Sequence, residues 1–180
     1  MAVSPRRKFH NYPNRVLVES GTYFGEGVED ALRCGFGRVI SFEVKPDLAA
    51  RARTKFFYDS RVQIVEGSTA KWLYDTIREI DEPVTFWLDG HYSLGCTGYD
   101  PEHVSPLLEE LKQIAKHHIK THTVLIDDRR LLRKSTNGGM DGLFDVTEEE
   151  VLAVLKAINP DYVISYEDGH VSKDIVVAHV

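Results

Sequence analysis

The sequence predicts an α/β protein built as a doubly wound sheet of seven strands, mostly parallel, with an antiparallel C-terminal hairpin strand. Three observations lead there. Short β-branched or aromatic runs alternate with amphipathic stretches, the pattern of a parallel sheet covered by helices on both faces. Most of those runs end on an acidic residue. The chain closes on two apolar runs flanking Glu167–Lys173, a connection that holds Asp168-Gly169 and reads as a hairpin turn.

Taken in order, the predicted strands are Val16–Glu19, Val39–Glu43, Val62–Val65, Val84–Asp89 and Thr123–Asp127, followed by Tyr162–Tyr166 and Asp174–Ala178. Between the fourth and fifth, Val104, Leu107, Leu108, Leu111, Ile114 and Ala115 follow a 3.6-residue period and define a helix. Glu109, Glu110, Lys112 and Lys116 are assigned to its solvated face. A later helix carries its own start signal. Thr147 as N-cap and Glu150 three residues on form a capping box, and Val146 and Val151 are spaced for a hydrophobic staple.

Composition sets the outer limits. The 180 residues carry 22 basic and 28 acidic side chains, a formal charge of 22 − 28 = −6, with 42% apolar residues. That describes one domain able to bury a core, expected over residues 15–180, with residues 1–14 as a tail or lid. No apolar run approaches the ~18–20 residues that span a bilayer, and Met1–Lys8 holds no apolar signal core, so a cytoplasmic location without membrane contact is expected. Cys34 and Cys96 have neither disulfide-framework nor metal-ligand spacing. The acidity argues against broad nucleic-acid binding, although Arg6-Arg7-Lys8 and Arg129–Lys134 form local basic runs. The oligomeric state stays open, a homodimer among the alternatives.

In a doubly wound sheet ligands bind beyond the carboxyl ends of the strands. The first strand runs into Glu19-Ser20-Gly21-Thr22-Tyr23-Phe24-Gly25, where glycines let the backbone turn and approach a ligand. The spacing is neither GxGxxG nor GxxxxGK[ST], so the dinucleotide and phosphate-loop readings lose ground. Glu43, about 20 residues on, ends the second strand, where a carboxylate can accept ribose hydroxyl protons. Past strands four and five, Asp89, Asp127 and Asp128 are expected to converge. Crowded carboxylates call for raised pKa values, a nearby cation, or a hard metal ion such as Mg²⁺. Arg129 or Arg130 neutralising the cluster is the competing account. His91, two residues past Asp89, is a candidate base. His117, His118 and His122 are read as solvated surface. The irregular stretches 92–103 and 129–145 are expected to face the substrate.

From Arg15 to Val180 these residues resemble the class I S-adenosylmethionine-dependent methyltransferases, which share a Rossmann-like sheet. Their acidic-xGxGxG turn is met by Glu19 to Gly25, with Thr22 in place of the middle glycine. The resemblance implies S-adenosylmethionine as cofactor, held by Glu19, Gly21, Thr22, Gly25, Glu43, Ser68 and Asp89. Asp89 with the Asp127-Asp128 pair is similar to the metal-dependent small-molecule O-methyltransferases of the catechol and macrocin types. That likeness implies Mg²⁺ on Asp89, Asp127 and Asp128, with Asp89 and His91 as catalytic residues acting on a small-molecule acceptor. Rival readings are a metal-dependent hydroxylase or lyase on a related fold and a non-catalytic cofactor-binding protein.

Overall fold

The computed structural model describes residues 7–92, 97–100, 102, 105–134 and 144–180. Its strands are β1 Val16–Ser20, β2 Arg38–Glu43, β3 Val62–Glu66, β4 Val84–Leu88, β5 Thr123–Ile126, β6 Val163–Glu167 and β7 Ile175–His179. They form one sheet in the order β3-β2-β1-β4-β5-β7-β6. β1 to β5 run parallel, and β7 lies antiparallel between β5 and β6. The strand order reverses between β1 and β4, which places the crevice at their carboxyl ends. The predicted fold class is therefore the observed one. Asp89 and Asp127 stand one residue past their strands rather than closing them.

Burial explains the composition of the strands. β1, β4 and β5 are buried along their whole length and are mostly apolar, as strands covered on both faces are, with Glu19, Ser20, Thr85 and Thr123 as the polar exceptions. Alternate side chains divide between two cores. Val16, Val18 and Phe86 join one core with Leu73, Ile77, Leu111, Ile114, Val151 and Leu155. Leu17 and Trp87 join the other with Val28, Ala31, Phe36 and Phe9. The helices are α1 Glu26–Arg33, α2 Pro46–Lys55, α3 Thr69–Ile77, α4 Leu107–Lys116 and α5 Glu148–Ile158. The first core thus lies under α3, α4 and α5, and the second under α1.

The late helix starts as its sequence dictates. The Thr147 hydroxyl accepts from the Glu150 amide at 3.2 Å, and the Glu150 carboxylate accepts from the Thr147 amide at 2.7 Å. Val146 and Val151 are both buried in the first core. In α4 the apolar face is as expected from Leu107 on, and Val104 lies outside the described residues. Glu110 corrects the solvated-face assignment: it is 1% exposed, because its carboxyl finds buried hydroxyl partners.

His117 and His122 also depart from expectation. Both are fully buried at the amino end of the sheet, because each ring meets a backbone or imidazole partner. Residues 7–14 pack on the sheet rather than trailing from it. Phe9 is buried edge-on to Trp87 and Phe36, with ring centroids 5.5 and 6.1 Å away. The Asn14 amide bonds Thr85 at 3.0 Å, and the Tyr12 hydroxyl donates to Glu167 at 2.9 Å. No helix among the described residues is long and apolar enough to cross a membrane.

Candidate active site

A cavity of about 390 Å³ opens at the carboxyl ends of the strands, within the range of small-molecule sites. Its floor is the contact between β1 and β4. Gly21 has φ +84°, and a Cβ there would lie 2.7 Å from the Asp89 carbonyl oxygen. Only glycine meets both conditions, so the first glycine of the turn is fixed by backbone approach. The Gly21 and Thr22 amides both donate to the Phe42 carbonyl, tying the turn to β2.

Beneath the turn lies a buried polar string. The Thr22 and Ser41 hydroxyls are 2.6 Å apart, and Ser41 donates to Glu19 at 2.6 Å. Burial pushes the Glu19 carboxyl up to about 8, against the opposing pull of the Ser41 bond and the Arg7 charge. The first turn of α1 rests on it, since a Cβ on Gly27 would sit 1.6 Å from a Glu19 oxygen. Glu19 therefore lies below the cavity wall. Gly25, in the left-handed region at φ +81° and packed on Phe56, opens α1 and is likewise outside the lining.

Gly21, Thr22, Glu43, Ser68, Asp89, His91 and Asp128 all line the cavity. Glu43 is 4% exposed and accepts the Tyr23 amide at 2.8 Å on one oxygen and the Lys45 amide at 3.0 Å on the other. Those two bonds hold the carboxylate rigid while leaving lone pairs for a diol. Ser68 precedes α3 as its N-cap and makes no capping bond.

The acidic residues do not assemble as one triad. Asp89, His91 and Asp128 form one group whose ligand atoms lie within 4.8 Å of one another, and Asp127, Asp128 and Asp174 form a second. Asp128, in the left-handed region at φ +58°, belongs to both. The imidazole of His91 lies between two carboxylates, 3.2 Å from Asp128 and 3.6 Å from Asp89. Asp127 stands behind Asp128, accepting the Asp128 amide at 2.8 Å, and does not line the cavity. The Arg130 guanidinium bridges Asp128, at 2.5 Å, and Asp174. The rest of the basic run is also paired: Arg129 bonds Glu148 at 2.9 Å and Arg133 bonds Asp145 at 2.7 Å.

Three residues of this site escape the sequence reading. Glu110 reaches from α4 under the Asp89-Gly90-His91 turn, accepting Thr69 at 2.5 Å and a further bond from Ser20. Burial raises its pKa. Ser20 in turn accepts the Asp89 amide at 3.1 Å. Asp174 is 1% exposed and partners Arg130, and Arg7 enters the cavity wall from the N-terminal segment. The signal for Glu110 was its position one residue before the apolar Leu111 on a helix that covers the sheet. Arg7 is marked in sequence only as part of the basic run Arg6-Arg7-Lys8 in the expected tail or lid.

No model of a known protein family matches the chain, and no curated protein does. Solved structures do match in fold. An O-methyltransferase family protein from Burkholderia thailandensis aligns over 97% of this chain with a TM-score of 0.59 at 11% identity. The chain spans about half, 53%, of that protein's length. A SAM-dependent methyltransferase from Aquifex aeolicus aligns over 98% of this chain and 88% of its own, with a TM-score of 0.55 at 14% identity. An rRNA methylase from Streptococcus thermophilus aligns over 99% and 96%, with a TM-score of 0.54 at 13% identity. At such identities the likeness establishes the Rossmann-like methyltransferase fold.

Proposed function

We propose that the protein is an S-adenosylmethionine-dependent methyltransferase acting on an oxygen of a small polar acceptor. The observation that carries this reading is the placement of Glu43, Gly21, Ser68 and Asp89 along one cavity. A rigid carboxylate suits a ribose, a glycine floor admits close approach, and the carboxylates suit a sulfonium and an amine. The fold neighbours described as methyltransferases support it.

A small acceptor is favoured over RNA by charge. Five acids line the cavity, Glu26, Glu43, Asp89, Asp100 and Asp128, against two arginines, Arg7 and Arg130. Such a wall repels a phosphate backbone and draws a cationic cofactor.

The donor set bears on a metal. Two ligand groups could hold an ion at the expected acids, Asp89 with His91 and Asp128, and Asp127 with Asp128 and Asp174, and the first lines the cavity. The imidazole in the first group favours a first-row transition ion over Mg²⁺. Bound there, the ion would orient an acceptor hydroxyl and ease loss of its proton. His91 is then a ligand and Asp89 or solvent takes the proton. In the metal-free reading His91 is the base and Asp128 orients it.

Calorimetry with S-adenosylhomocysteine tests the cofactor reading: wild type binds and Glu43→Ala binds at least tenfold more weakly. Absence of binding by wild type overturns it. Transfer of labelled methyl groups to a panel of sugars, catechols and diols, with and without Mn²⁺, separates the two roles of His91. Binding without transfer to any of them favours a non-catalytic protein, and Fe²⁺-dependent consumption without methyl transfer favours a hydroxylase or lyase.

A further inference from the structure

We propose that Arg7, outside the glycine turn and outside every strand and helix of the sheet, is the residue that recognises the carboxylate at the amino-acid end of the cofactor. The inference rests on the cofactor reading above and adds the determinant of specificity at that end of the cavity.

The cavity is acidic, which suits the amine and the sulfonium of S-adenosylmethionine. The same molecule carries a carboxylate, and that group needs an opposing cation. Among the described residues of the lining, Arg7 and Arg130 are the permanently charged cations. Arg130 is already committed to two carboxylates, Asp128 and Asp174. Arg7 bonds a single carboxylate, Asp30, through Nη1 at 3.2 Å. Asp30 is shared with Arg33, 2.9 Å away. Around it, Glu29 and Asp30 stand among Arg7, Arg33 and Lys55, so positive charge is in excess by one.

Position agrees with charge. Arg7 sits over Trp87 of β4, 5.9 Å from the ring, and its field acts on Glu19 of β1. It therefore stands beside the ends of β1 and β4, near where Gly21 meets Asp89. Its side chain is 14% exposed, and its Nε is buried with no hydrogen-bond partner. A guanidinium has five donors in a planar fork matched to a carboxylate. One pairing at Nη1 leaves that fork underused in a place where water is scarce. Phe9, two residues on, is locked between Trp87 and Phe36 and fixes where Arg7 can reach.

The test compares two ligands on one variant. S-adenosylhomocysteine carries the amino-acid end, whereas 5′-methylthioadenosine keeps the nucleoside and thioether without it. In calorimetry, Arg7→Gln is expected to weaken S-adenosylhomocysteine binding roughly 10- to 100-fold, the size of one charge-assisted pair. Binding of 5′-methylthioadenosine should stay within about twofold on the same reasoning. Arg7→Lys keeps the charge but not the fork and should fall between, which also controls for any loosening of the N-terminal segment. Equal weakening of both ligands, or no weakening of S-adenosylhomocysteine, overturns the role of Arg7 and leaves the proposed cofactor standing. Failure of wild type to bind S-adenosylhomocysteine overturns both.

Discussion

Each end of the sheet buries titratable side chains, but only one end leaves them turned toward a cavity. At the amino end, His117 and His122 satisfy each other and the backbone. The Val84 amide donates to His122 Nδ1 at 3.1 Å, so the ring proton of His122 is on Nε2 and points to His117 Nδ1, 3.1 Å away. His117 then carries its proton on Nε2 and donates to the Ile77 carbonyl at 3.0 Å. Every ring nitrogen is used, and both tautomers follow from the bonding. At the carboxyl end, Glu43, Asp89, His91 and Asp128 also make internal bonds, yet all four line the cavity. A network closed on itself contributes stability, and one that faces a cavity holds side chains ready for a ligand.

The sharpest way to break this contrast is His122→Leu. It strands the Val84 amide in the core and removes the His122–His117 bond, while His117 Nδ1 keeps the Ile119 amide at 3.3 Å; one buried unsatisfied donor and one lost hydrogen bond cost about 2–4 kcal/mol. Denaturant unfolding should show that loss with S-adenosylhomocysteine affinity unchanged. A loss of affinity as large as the loss of stability would show that the two ends are not independent. Next in size, Glu43→Ala should do the reverse, removing about 1.5–3 kcal/mol of ligand affinity with a smaller change in unfolding.

Acidity separates the ends further. His122 is held down to about 3 by burial, then by the neighbouring charges of His117 and Lys120. Unfolded chains take up a proton near 6.5 that the native protein refuses, so stability falls as pH drops from about 6.5 toward 3. Glu19 has the opposite sign. Its carboxyl, raised to about 8, keeps a proton that the unfolded chain loses near 4.5, so stability falls as pH rises through that window. Melting temperature should therefore peak between the two limbs. Glu19→Gln should flatten the alkaline limb alone, and a variant that flattened both would refute the assignment. Smallest, Thr147→Ala touches neither end and should cost about 1 kcal/mol of stability through its capping box, with both pH limbs and ligand binding unchanged.

How much of this was legible varies with how local the cause is. The capping box at Thr147 and Glu150, the glycine at position 21 and the apolar strands are short-range features, and the structure places them as the sequence implies. Glu43, Ser68 and Asp89 could be assigned to one crevice because parallel topology brings strand ends together. Glu19 carried the right residue type in the right motif yet sits below the cavity, because the first turn of α1 covers it. His117, His122, Glu110 and Asp174 are hidden from sequence because a polar residue is buried only when a distant partner meets it, as Thr69 meets Glu110 across α3 and α4. Arg130 bridges the acids as the competing account from sequence expected, whereas the left-handed backbone at Asp128, which belongs to both groups, is not revealed by spacing.

Glu110 has one more consequence. Its carboxyl binds Thr69, which lines the cavity beside Ser68, and lies 3.4 Å from where a side chain on Gly90 would begin, next to His91. One buried group on α4 thus joins the loop that leads from Ser68 into α3 to the turn that carries His91.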